Sequence, residues 1–250
     1  MKKYKNPLLF SLAMLPISAI AIYFTALYQF DLYDQATVEL LLSQLGSIEL
    51  VMVITLVQNC GMIFFACFFG YILASKLTLL KPLVFEKKTF LICITASVLS
   101  GTVLALDYWT FGALEPMLRE GTAAGMTLYG VIASILYGGI VEELLMRLFI
   151  MSLIGWILWK LFARKQAAAP EAVLIAANII AALLFAAGHL PATQMTFGTL
   201  TPMLLFRCFL LNGGFGLLFG WFFRKHGLHY AMVAHAGAHI TSKLIWMLFL

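Results

Sequence analysis

Residues 126–162 read MTLYGVIASILYGGIVEELLMRLFIMSLIGWILWKLF. The run is apolar almost throughout, yet its middle holds Glu142, Glu143 and Arg147. Ionisable groups within such a run are costly in a bilayer, so they face protein or a water-filled space and mark function. On a helix, Glu143 and Arg147 stand four residues apart on one face and neutralise each other. Glu142 is turned about 100° away and lacks that partner. One carboxylate is thus tied up while its neighbour is left for other chemistry. The plain alternative is a structural Glu–Arg clamp between helices.

The surrounding chain decides the solvent. Of 250 residues, 63% are hydrophobic and 11% charged, and the mean hydropathy is +0.99. The apolar runs approach or exceed the ~20 residues that a spanning helix needs. The fold class is therefore all-α: a polytopic membrane helical bundle of seven or eight transmembrane helices around an intramembrane polar cavity. It forms a single integral membrane domain over 1–250, with lipids as its first partners. The net charge of +5 comes from basic residues in short loops, where they set orientation. With no Lys/Arg block and no stacking platform, nucleic acid is excluded as a partner. Cys60, Cys67, Cys93 and Cys208 lie in apolar runs without CxxC spacing and read as packed thiols.

Taken in order, the first span covers 8–28. It continues past Ser18-Ala19-Ile20-Ala21, so it reads as an uncleaved helix rather than a signal peptide. The acidic stretch 31–49 contains Val38-Glu39-Leu40-Leu41-Leu42, a short interfacial helix. Spans follow at 50–75 and 89–109, then a mixed loop at 112–124. Residues 125–162 are long for one crossing and short for two, with Gly138-Gly139 as a breaking point. The fifth span, 171–190, is stopped by Pro191; the sixth covers 200–223 and the last begins at Gly227. Basic residues fall at the N-terminus and in the loops 76–88, 160–170 and 224–226. That alternation gives seven crossings with a cytoplasmic N-terminus, in the inner (plasma) membrane of a bacterium. Arg207, within the sixth span, calls for a carboxylate such as Asp107 or a lipid phosphate.

Three histidines share the apolar runs with the glutamates. His189 closes the fifth span, and His235 and His239 lie four apart on one face of the last. Gly188 and Gly237 beside them offer close approach to a helix or a substrate backbone. Helical bundles build sites by projecting such groups inward from facing helices. Two chemistries fit. A carboxylate and an imidazole can polarise a water for attack on a peptide carbonyl while other donors stabilise the oxyanion. Alternatively Glu142, His189, His235 and His239 hold a zinc that activates the water. No HExxH is present, since Ala236 follows His235. No cofactor is expected, with zinc as the alternative.

Glu142-Glu143-x-x-x-Arg147, then Phe185-x-x-x-His189, then His235 in a late helix resembles the CPBP family. These are the CAAX-protease and bacteriocin-processing intramembrane proteases, related to the Ras-converting CAAX endopeptidase. The similarity covers roughly 139–244 within a motif-bearing core of about 125–250; residues 1–120 read as generic spans. The resemblance implies an intramembrane endopeptidase cutting a membrane-associated protein or peptide, prenylated or not. Glu142 and His189 would activate the water, Glu143 and Arg147 would support them, and His235 would stabilise the oxyanion. The family's last motif is usually HxxxN, whereas this chain has His239 where Asn is expected, a residue that titrates and binds metal.

Non-enzymatic readings are a membrane adaptor, a bacteriocin self-immunity protein, or a transporter with an acid–histidine relay. One difficulty stands against a shared site. With the fifth and last spans parallel, His189 lies near the end of its span and His235 near the start of its own. At the rise of an α-helix that separates them by about 15 Å in depth.

Overall fold

The computed structural model describes residues 4–250, and every regular element among them is helical. Helix α1 (Lys5–Leu32) runs unbroken through the small-residue stretch. Helix α2 (Gln35–Leu45) takes in the short amphipathic segment. Its N-cap is Asp34, whose carboxylate accepts the Thr37 N–H at 2.7 Å. That bond holds the Asp34 carboxyl below its ordinary range. Helix α3 (Ile48–Lys76) is capped by the Ser47 hydroxyl, and α4 (Lys87–Leu106) follows an exposed loop. The mixed segment after α4 is not a loop but two short helices, α5 (Phe111–Leu114) and α6 (Met117–Ala124). Glu115, between them, accepts a hydrogen bond from the Thr201 hydroxyl at 2.6 Å, which pins the pair to the far side of the bundle.

Helix α7 (Leu128–Phe162) settles the ambiguous segment as one unbroken helix. From Ser134 to Glu142 and from Leu144 to Met151 it takes the wider π winding. More residues per turn means less advance per residue, so α7 is shorter than the roughly 52 Å of a pure α-helix of that length. Gly138 and Gly139 do not break it. They let another helix seat against it: a Cβ on Gly139 would lie 2.5 Å from the Ala236 side chain, and one on Gly138 2.7 Å from His239 Nε2.

Helix α8 (Glu171–Gly188) ends at His189, and α9 (Leu190–Phe197) starts directly after it. Pro191 therefore opens a helix rather than stopping one, since its missing N–H is harmless in a first turn. Helix α10 (Pro202–His226) returns antiparallel to α8. Arg224 meets Glu171 at 2.7 Å, Asn178 donates to the Leu217 carbonyl at 3.0 Å, and Gly216 faces Ala182. Helix α11 (Leu228–Phe249) runs parallel to α4. Cys93 contacts the Tyr230 carbonyl, Ser97 faces Gly237, and Trp246 Nε1 donates to the Ala105 carbonyl. Arg207 forms an ion pair with Asp107, tying α10 to the end of α4 as its position in an apolar run required.

Among the described residues, six helices are long and apolar enough to cross a membrane: α1, α3, the segments beginning with α4 and α8, α7 and α10. The expected count of seven or eight is thus six by that measure. Helix α11 has the length, but it carries His229, His235, His239 and Lys243 and is not one of the six. It is packed between α4 and α7. All four cysteines are free. Among the described residues, one cavity of about 690 Å³ lies among α1, α3 and α7 and another of about 380 Å³ beside α2. Neither is lined by the glutamates or the site histidines.

Candidate active site

The two glutamates lie at the junction of the π-wound stretches of α7, and their environments differ. Glu143 and Arg147 are fully buried, with Arg147 Nε 3.3 Å from Glu143 Oε2. The other Glu143 oxygen receives the Nδ1 of His235 at 2.9 Å. A carboxylate only accepts, so His235 carries its proton on Nδ1 and presents Nε2 to the site. Glu143 therefore does two jobs: it neutralises Arg147 and orients His235. The i,i+4 pairing was legible in the sequence; the contact with His235 was not.

Glu142 points elsewhere and keeps 20% of its side chain exposed. Its Oε1 lies 3.9 Å from His189 Nε2, and its Oε2 lies 3.9 Å from His235 Nε2. Both contacts exceed hydrogen-bond length. Polar atoms at such a spacing invite a bridging water. His189, 32% exposed, bonds through Nδ1 to the Phe185 carbonyl at 2.8 Å. A carbonyl can only accept, so the proton sits on Nδ1 and the Nε2 lone pair faces Glu142. The i−4 bond leans the ring back along the helix, toward the depth of His235. That closes part of the expected gap, and the Glu142 side chain spans the rest.

Phe185 is the joint of the site. Its ring lies edge-on to His189 with centroids 4.6 Å apart and edge-on to His235 at 6.1 Å. The Arg147 guanidinium sits 5.0 Å from the same ring. Phe219 stacks on His235 at 4.3 Å from the other side. Sequence reasoning used Phe185 only as a motif letter and missed Phe219. The available signal was spacing: an aromatic one turn before a histidine packs on it.

His239 is placed differently from the other site residues. Its ring stacks on that of His235 at 5.0 Å and presses on Gly138, with no hydrogen bond or ion pair to either glutamate among the described residues. Among the described residues no group of three or more His, Cys, Asp or Glu is arranged to hold a metal ion. Of the two glycines expected to admit a neighbour, Gly237 does so against Ser97. Gly188 faces open space.

The arrangement offers a partly open carboxylate between two imidazoles, each presenting Nε2 to it. A buried carboxylate–guanidinium pair fixes the second imidazole. Residues 124–241 match the family model described as "Rce1-like: Type II CAAX prenyl endopeptidase Rce1-like". No curated protein and no solved structure matches the chain.

Proposed function

The match over 124–241 supports assigning this membrane protein to the CPBP (CAAX-protease) family, and on that premise we propose that Glu142 and His189 activate a water for hydrolysis of a peptide bond. The observation that carries the reading is the division of labour between adjacent carboxylates. Glu143 is consumed by Arg147 and His235, while Glu142 stands partly open, 3.9 Å from each of two imidazoles. A water held between Glu142 and the inward lone pair of His189 gives up a proton to that pair as its oxygen bonds the substrate carbonyl carbon. The carbonyl oxygen becomes the oxyanion. His235 faces it with Nε2 and donates to it when the ring carries both protons. As the C–N bond breaks, the proton held by Glu142 and His189 passes to the departing amine. Atoms and charges balance with water as the only co-reactant.

The substrate is a membrane-associated protein or peptide, because Glu142 and His189 lie on helical segments apolar enough to span a bilayer. The reading extends to the inner membrane of a bacterium, with the basic end of the bundle in the cytoplasm. Replacing Glu142 with Gln, or His189 with Ala, is expected to lower kcat by about 10²–10⁴. The purified variants should keep wild-type thermal unfolding. Turnover at the wild-type rate in either variant would remove that residue from the mechanism. The zinc alternative predicts loss of turnover in EDTA and its recovery on adding zinc. The water-activating pair predicts insensitivity to both. An adaptor or immunity role predicts that Glu142→Gln leaves the cellular phenotype unchanged.

A further inference from the structure

The cavity of about 690 Å³ lies in the wall that α3 and α7 share, and neither the glutamates nor the site histidines line it. Phe65 and Phe149 meet edge to face at one end, with centroids 5.8 Å apart. Phe65 is half exposed, so the cavity opens along its flank to the outer surface of the bundle. Phe68 lines it further on and stacks on Tyr4, just before α1, at 6.2 Å. Lys76 and Trp156 span the other end, the ammonium 5.5 Å from the centre of the indole. Lys76 follows Phe65 by eleven residues of α3, a rise of about 16 Å. Half the hydrocarbon thickness of a bilayer is about 15 Å. The cavity is thus one leaflet deep, with aromatic walls at acyl depth and a lysine at headgroup depth.

That lysine is exposed and is the one charged residue in the lining among the described residues. Neither Lys76 nor Lys160, one turn beyond Trp156 on α7, forms an ion pair among the described residues. A cation–π contact at an exposed site is weak and leaves the ammonium charge unneutralised. We propose that this cavity binds an anionic phospholipid from the leaflet at the basic end of the bundle. One acyl chain lies among Phe65, Phe68 and Phe149, and the phosphate sits at Lys76 beside the Trp156 indole. A plain lipid-facing groove would take any acyl chain. A lysine at the mouth, with no carboxylate in the lining, selects for negative charge. The bound chain packs α3 against the second π-wound stretch of α7, which carries both Arg147 and Phe149. Nothing in this site depends on the peptidase chemistry, and its binding is read without turnover.

The test uses the full chain in mixed micelles of a neutral detergent. The probes are phosphatidylglycerol and phosphatidylcholine brominated on the same acyl chain, and the readout is quenching of tryptophan fluorescence. Quenching of Trp156, taken as the difference from Trp156→Phe, should saturate at an about fivefold lower mole fraction of phosphatidylglycerol than of phosphatidylcholine. Lys76→Gln should bring the two midpoints together, and Lys76→Arg should keep them apart. Lys88→Gln removes a charge from a basic loop outside the cavity and should change neither. Unfolding temperatures equal to wild type in lipid-free micelles separate a lost preference from a lost fold. Excess inorganic phosphate should leave the lipid in place, because the acyl chain supplies most of the buried area. Equal midpoints for the two lipids, or a preference that survives Lys76→Gln, would overturn the site. So would an equal loss in Lys88→Gln, which marks diffuse surface charge, or quenching unchanged by Trp156→Phe. Displacement by phosphate alone would leave an anion contact with no acyl chain, and overturns it as well.

Discussion

Arg147 is fully buried, and none of its three guanidinium nitrogens makes a hydrogen bond within the protein. Its charge is met by the Glu143 carboxylate on one side and the Phe185 ring face on the other. Breaking a buried pair from one side leaves an uncompensated charge, which costs about 3–5 kcal/mol. Arg147→Met is therefore expected to lower stability by that amount, read as thermal unfolding in detergent. The double variant Glu143→Leu/Arg147→Met should recover most of the stability, because an apolar pair of similar volume replaces a desolvated ionic one. It should not recover turnover, since His235 Nδ1 has lost its acceptor. A double variant that is both stable and fully active would reduce the pair to scaffolding. The sequence displayed the clamp through its spacing. It could not display which of three histidines met the clamp, because that contact joins residues 92 positions apart.

At the scale of elements, α7 and α11 make the site by close approach, and the glycines decide how close. The sequence marked Gly138-Gly139 as a place for the run to break, because glycine weakens an isolated helix. In the folded bundle the same missing side chains admit Ala236 and His239, and the helix stays whole. Local propensity yielded to packing, as it commonly does in helix pairs within membranes. The π winding was equally invisible, since residues four apart share a face in either winding. Adding a methyl at Gly139 puts it 2.5 Å from the Ala236 side chain, so α11 must shift. Gly139→Ala is expected to lose about 1–3 kcal/mol by overpacking. Turnover should fall as well, because His235 moves with α11 away from Glu142. Gly188→Ala is the matched control: nothing lies within 4 Å of the added Cβ, and its stability should stay within about 0.5 kcal/mol of wild type. Similar losses in the two variants would show that helix propensity, not the α7–α11 seam, sets the effect.

For the whole molecule, apolar runs and basic loops were legible because both are sums over many residues. Relative depth was not, because it depends on tilt and on where a side chain leans. The expected 15 Å or so between His189 and His235 came from treating helices as parallel rods with residues as points on them. The His189 ring recovers part of it by leaning back to the Phe185 carbonyl. The structure also gathers the basic loops at one end. Gly227 lies against Lys81, Tyr230 accepts the Glu86 N–H at 2.9 Å, and Arg224 and Lys225 both reach Glu171. At the other end Thr201 meets Glu115, and Lys243 meets the Gly125 carbonyl. With the basic end in the cytoplasm, as proposed above, α11 rises from that side. Alkaline phosphatase, which folds only outside the cytoplasm of a bacterial host, should accordingly be active when fused after Leu250 and inactive when fused after Arg164. The reverse pattern would invert the chain in the membrane and overturn the proposed orientation.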